Sequence, residues 1–384
     1  MPPVAWEDRH AAFALPDDVR YLDVASTGPR LASVQAAAHA AVELAATPWR
    51  SPHDAVMQQV QSVRQRAADL LFGGDVDGVA MIPSAAYGLA TAARNVPLAR
   101  GDAVLVLDGQ FPSNLIAWQQ RCAEVGAQVV AATPAPGQSL TDAVLAQLQD
   151  TPRIAVVSLP HCHWHDGRLL DLDRIAPAVQ ARGAALVLDL SQSAGVLPVR
   201  LDLWKPDFVV SVGYKWLLGP IGLSWLWAAP RWRSQGTPIE QHWITRDPGA
   251  DWTFPIAAPP PFLPGARRFD AGAINDPIRL AMAAAGLAQL QHWGLPRIAA
   301  ALAEVTAALD AALEARGLAD WKTPGHAPHL TGLRVPGARL DAVAAAFAAH
   351  RILCARRQGG LRLAPSLTVR PAQMQAVVEI AASA

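Results

Sequence analysis

Lysine, cysteine and tyrosine each occur only three times in 384 residues, the charges cancel, and long apolar runs are missing. Each shortage excludes something. Lys plus Arg and Asp plus Glu both total 32, so no charge surplus is available to hold a nucleic-acid backbone or an anionic membrane surface. No apolar stretch reaches the roughly 18 to 20 residues that span a bilayer, and the start MPPVAWEDRH lacks the basic-then-apolar layout of a secretory signal. Cys122, Cys162 and Cys354 are an odd, widely spaced set that fits a reducing compartment better than a disulfide framework, so a cytoplasmic address is expected. Because nearly all the basic residues are arginine, chemistry that needs a primary amine has three candidates: Lys205, Lys215 and Lys322.

What is abundant is apolar: 52% of residues are hydrophobic and only 17% charged, enough to bury a sizeable core. From about residue 79 to 227, short β-rich runs alternate with segments of helical period, which predicts an α/β domain on a mainly parallel sheet. Seven strands are expected: 79–82, 103–107, 128–132, 154–158, 185–188, 208–211 and 222–227. A helix is expected over 141–149, with Thr141 as N-cap. Residues 230–265, rich in Pro, Trp and Gly, read as a long crossing segment. Residues 277–316 read as helical, and 329–384 as a small α+β unit with Leu340, Val343, Ala344 and Phe347 on one helix face.

Lys215 falls just past the apolar run Asp207–Ser211, in a loop bounded by Gly213 and Gly219. Ligands of open α/β sheets bind beyond the carboxyl ends of the strands. Partial desolvation there lowers a lysine's pKa and frees its amine as a nucleophile. Another apolar run, Ala185–Leu188, ends in Asp189. A lysine and an aspartate at neighbouring strand ends are what pyridoxal phosphate chemistry requires, the lysine holding the aldehyde as a Schiff base and the acid keeping the ring nitrogen protonated.

With these blocks in order, the chain resembles the aminotransferase class V group of fold-type I pyridoxal phosphate enzymes. The likeness runs from Tyr21-Leu22-Asp23-Val24-Ala25-Ser26-Thr27 to Leu361-Arg362-Leu363-Ala364-Pro365. It implies a large domain with a seven-stranded mainly parallel sheet and a small α+β domain. The division expected is an N-terminal arm at 1–24 packing on the small domain, a cofactor-binding domain at 25–255 and a small domain at 256–384. It also implies Lys215 and Asp189 as catalytic residues. Ser84, Ala85 and Ala86 would hold the cofactor phosphate, Phe111 would stack on its ring, Gln192 would bond its phenolic oxygen, and Tyr214 would reach the phosphate. Arg362 would grip the substrate α-carboxylate, Ser26 would also bind the substrate, and Asn275 would reach the phosphate of the other subunit in a homodimer. Phe111 and Tyr214 resemble kynureninases, whereas Gln192 does not, since histidine is commoner there in that group.

The run His161-Cys162-His163-Trp164-His165-Asp166 has the residue types of a metal site, and alternation in an extended segment would put the three histidines on one side. The expectation is nevertheless no metal. His163 and Trp164 are taken as substrate-pocket residues, with a structural role as the alternative. The reaction expected starts with removal of the α-proton of an amino acid by Lys215 and goes on to a lyase outcome, as in kynureninases or cyst(e)ine lyases, or to transamination. Cysteine desulfurase is the nearest rival, but its chemistry needs a nucleophilic thiol on a mobile loop before Arg362, and Arg357-Gln358-Gly359-Gly360-Leu361 has none. A non-catalytic binding scaffold is the rival from another class.

Overall fold

Residues 2–384 are described by a computed structural model of the chain. The strands are β1 Arg20–Tyr21, β2 Val79–Ile82, β3 Ala103–Leu107, β4 Gln128–Ala132, β5 Ile154–Pro160, β6 Ala185–Asp189, β7 Phe208–Val212, β8 Ser224–Ala228, β9 Thr331–Leu333, β10 Ile352–Leu353, β11 Ala355–Arg357 and β12 Gly360–Leu363. The first helices are α1 Ala32–Ala45, α2 His53–Leu71, α3 Ala85–Asn95, α4 Pro112–Val125, α5 Leu140–Asp150 and α6 Leu172–Ala181. They are followed by α7 Leu201–Trp204, α8 Pro230–Gln235, α9 Pro277–Trp293, α10 Leu295–Ala315, α11 Gly337–Ala349 and α12 Gln373–Ser383.

Seven strands form one sheet in the order β2-β8-β7-β6-β5-β3-β4, with β8 antiparallel to both its neighbours and the pairs from β7 to β4 all parallel. The fold is thus α/β, fold-type I, on a mainly parallel sheet. The inner strands are apolar at nearly every position because both faces are covered, with Ser158, Asp189, Ser211 and Ser224 as the polar exceptions, while the edge strand β4 is partly exposed and starts with Gln128. Leu105, Val157, Leu186, Leu188 and Val209 point into one core, and Val104, Val106, Val156, Val187 and Val210 into the other. Alternation along each strand divides the same apolar run between two layers.

Local signals set several boundaries. Ser84 caps α3 by accepting from the Tyr87 amide at 3.2 Å, and Asp276 caps α9 by accepting from Ile278 and Arg279. Helix α5 starts earlier than expected: Ser139 is its cap, while Thr141 lies inside the helix and its hydroxyl accepts from the Asp171 amide. The last large-sheet strand starts at Ser224 rather than Gly222, because Gly222 has φ +85° and still belongs to the preceding turn. Gly294, at φ +80°, splits the long helical region into α9 and α10.

The packing divides the chain differently from the 255/256 boundary. Residues from Ala271 through Leu302 pack with the large core, α9 lying against α1 and α2. A separate cluster begins at Val305, within α10, and takes in Val343, Phe347, Leu361 and Val378. The N-terminal arm is also shared. Trp6 meets Trp293 edge-on in the large core, whereas residues 20–22 join the small one through the parallel pairing of β1 with β10, flanked by bonds between Asp18 and Arg351, Asp23 and Arg362, and Val24 and Ala364. The arm has apolar residues suited to both cores, which is why it crosses between them.

Candidate active site

The carboxyl ends of β5, β6 and β7 lie side by side, so the residues that leave them share one crevice. Asp189 closes β6, Lys215 follows β7 by a short turn, and the loop 161–167 follows β5. The first turn of α3, with Ser84, Ala85 and Ala86, borders the same crevice, as do Gln110, Phe111 and Ser113 at the start of α4. Together with Cys162, Trp164, Ser191, Gln192 and Tyr214 they line a cavity of about 200 Å³ that opens to solvent.

Lys215 is 8% exposed and forms no hydrogen bond or ion pair among the described residues. Burial, opposed in part by the Asp189 charge, brings its pKa down from 10.5 to about 8. Its Nζ stands 5.7 Å from the centre of the Phe111 ring and 6.0 Å from that of Tyr214. Asp189 is likewise buried, and desolvation raises its pKa although the Ser191 amide donates to it at 3.0 Å. A buried amine and a buried acid, neither closed off by a strong partner, are poised for something that enters between them.

The N-terminal segment is held against this pair. Gly28 donates to the Tyr214 carbonyl at 2.9 Å, and a Cβ on Gly28 would stand 2.2 Å from the Lys215 carbonyl oxygen, so only glycine lets the two chains pass. Gln192 donates to the Ala25 carbonyl at 2.9 Å and accepts from Trp216 at 3.2 Å. Its second amide hydrogen stays free toward the cavity it lines.

Arg362 is 1% exposed on β12. It donates to Asp23 at 2.9 Å, to the Ser26 hydroxyl at 2.6 Å and to the Trp164 carbonyl at 2.8 Å. Ser26, expected at the substrate, is bonded to Arg362. The role of Asp23 was not foreseen, although the residue lies inside the opening motif, because a motif does not tell which of its members faces a residue so far along the chain.

The loop after β5 corrects the expected histidine alternation. Residues 161–167 turn instead of extending, so His161 packs on Trp204 while His163, His165 and Asp166 gather with ligand atoms within 4.8 Å of one another. Arg168 holds Asp166 at 2.7 Å, and His163 Nδ1 lies 3.3 Å from the same carboxylate. His163 and Trp164 both bond the Gly109 carbonyl, and the Trp164 ring meets Phe111 edge-on at 5.3 Å, so the loop braces the Phe111 turn. Two further contributors were given no role by the sequence: Cys162, seen only as part of the histidine run, lines the cavity with Lys215, and the ring of His329, which carried no signal, bonds the Gln192 carbonyl at 2.6 Å. Asn275, half-buried in the turn before α9, does not line this cavity.

The family profile described as Aminotransferase class-V matches residues 20–378. This chain belongs to the class V aminotransferase family. It is 27% identical over 342 residues to an uncharacterized aminotransferase, YcbU, of Bacillus subtilis, covering 88% of this chain and 86% of that one. It is 30% identical over 281 residues to a kynureninase of Deinococcus radiodurans, covering 69% and 64%. A solved cysteine desulfurase from Thermococcus onnurineus NA1 superposes with a TM-score of 0.82 over 99% of this chain and 97% of that chain, at 18% identity, a likeness of fold.

Membership makes the chain a pyridoxal phosphate-dependent class V enzyme, and the cavity fits that group. The first N–H groups of a helix have no partner within it, so the amides of Ala85 and Ala86 at the positive end of α3 are suited to a phosphate. An unpaired buried amine and a buried acid complete what the aldehyde and the ring nitrogen need.

Proposed function

We infer that this class V enzyme acts on an α-amino acid, removing its α-proton and then releasing a substituent from the β-carbon. The observation that carries the reading is Lys215: buried, without a bonding partner, and with an amine of pKa about 8. Such a group has an appreciable neutral fraction near physiological pH and is half neutral at about pH 8, as suits a general base.

Bound pyridoxal phosphate supplies an aldehyde that links to an amine and a conjugated ring that takes up the electrons left at the α-carbon. The chain's own residues do the rest. Arg362, already oriented by Asp23, Ser26 and the Trp164 carbonyl, receives the α-carboxylate through its fork of N–H groups. Lys215 Nζ takes the α-proton. Asp189 would hold a proton on the ring nitrogen, and the Ala85 and Ala86 amides with Ser84 would bind the phosphate. Phe111 offers an apolar face and no exchangeable proton, and Trp164 and Phe111 narrow the access of water.

A route without persulfide transfer is supported by the thiols. Burial pushes both Cys162 and Cys354 up to about 12, so neither is a thiolate at neutral pH. The three cysteines are unpaired, in keeping with a cytoplasmic address, and no helix is long and apolar enough to cross a membrane. A homodimer in which Asn275 serves the partner's phosphate is supported by its lying off its own chain's cavity.

The test is turnover of an amino-acid panel that includes kynurenine, cysteine, cystine, alanine and aspartate, with no keto-acid acceptor added. Many turnovers releasing pyruvate or alanine together with a leaving group would support the reading. A single turnover that stops until a keto acid is added would replace it with transamination.

A further inference from the structure

Two adjacent arginines, Arg356 and Arg357, end β11, and their fates differ. Strand alternation sends them to opposite faces of the β11–β12 hairpin. Arg356 turns to solvent and is paired with Asp341. Arg357 lies on the face that carries Arg362, because Arg362 stands opposite Ala355 and Arg357 stands opposite Gly360. Gly360 has no side chain to fill the space across from it, and a Cβ there would strike the Leu333 carbonyl oxygen at 2.2 Å.

The Arg357 guanidinium sits 5.4 Å from the centre of the Trp164 ring, the same Trp164 that lines the Lys215 cavity and accepts from Arg362. Yet Arg357 forms no ion pair among the described residues. Its only hydrogen bond runs from Nη1 to the neighbouring Arg356 carbonyl, and its Nε is buried without a partner. Nearby carboxylates are already engaged, Asp23 by Arg362 and Asp166 by Arg168. Burial first, and then the Arg357 charge, act to lower the pKa of Arg362. A half-buried cation stacked on an aromatic wall of the site, with its donors largely free and no counter-ion, is a receptor for an anion that arrives with the substrate.

We propose that Arg357 selects the substrate by pairing with a carboxylate in the amino acid's side chain while Arg362 holds the α-carboxylate. The proposal rests on the α-amino-acid reading above and narrows it to dicarboxylic substrates.

Calorimetric titration of the holoenzyme with unreactive acids tests it, using succinate, glutarate and adipate against the monocarboxylates of equal length. At least one dicarboxylate is expected to bind about tenfold more tightly than its monocarboxylate counterpart. Arg357→Ala should erase that preference and leave monocarboxylate binding within about twofold, and Arg357→Lys should restore part of it. Equal affinities in the wild-type chain would overturn the proposal. So would an equal weakening of mono- and dicarboxylates by Arg357→Ala, since Arg357 would then act only as background charge at Arg362. Failure of the wild-type chain to take up pyridoxal phosphate would instead sink the functional reading, and the same titration would still decide Arg357, whose place does not depend on the cofactor.

Discussion

At the scale of single residues, the site runs on one desolvated amine. The sequence made Lys215 identifiable because the chain is so poor in lysine and because an apolar strand ends just before it. It did not reveal the full environment, since the loss of water around Nζ comes not only from the adjacent Tyr214 but also from Phe111 and Cys162, which arrive from two distant segments. That environment has a thermodynamic consequence. With the folded pKa at about 8 and the ordinary value at 10.5, the unfolded chain holds a proton between those limits that the folded chain has released. Stability of the cofactor-free protein therefore rises with pH through that window, and below it the cost of burying the cation, up to about 3 kcal/mol, is fully present. Lys215→Met without cofactor should thus be more stable than wild type near neutral pH, with the gain fading as pH climbs from about 8 toward 10.5. Chemical denaturation across that range reads it, and a gain that grows with pH would contradict the assignment.

At the scale of elements, the large-sheet strands were legible because strands covered on both faces are mostly apolar, which marks them as short dense runs; the edge strand β4, part exposed, still carries the apolar run 129–132. One start moved by two residues because Gly222 belongs to the preceding turn, and β5 to β8 each run one or two residues beyond the expected end, to Pro160, Asp189, Val212 and Ala228. Legibility failed where the chain turns under the control of distant partners. The loop 161–167 reads as extended by residue type, but His163 and Trp164 close on the Gly109 carbonyl and the segment folds back. The hairpin β11–β12 could be read better: its tight turn at Gln358-Gly359 leaves no room for a mobile thiol loop, and Cys354 sits between β10 and β11 instead. Cys354→Ala is accordingly expected to keep kcat/KM for the best substrate within about twofold. A loss of a hundredfold or more, together with disappearance of a protein-bound persulfide on reaction with cysteine, would move the enzyme to desulfurase chemistry.

At the scale of the whole molecule, the active site depends on segments brought together across the full length of the chain: Asp23 and Ser26 near one end, Asp189 and Lys215 in the middle, Arg362 near the other. That is why motifs could nominate the members and not their contacts. A buried ion pair helps to close the large domain around them. Arg64 of α2 forms two hydrogen bonds with Asp270, which also accepts from the Met81 amide of β2, and both side chains are almost wholly buried. Arg64→Met strands that carboxylate without its counter-ion and should cost about 3–5 kcal/mol, read as a fall in the denaturation midpoint. An unchanged midpoint would mean that the pair is dispensable to the holding of α2 and the Asp270 segment against β2.

All of this turns on which amine carries the cofactor, and the scarcity of lysine makes that a clean measurement. The holoenzyme is reduced with borohydride, digested, and analysed by mass spectrometry. The account predicts a pyridoxyl adduct on the peptide containing Lys215 and none in Lys215→Ala. An adduct on Lys205 or Lys322, or no adduct on any of the three, would contradict it.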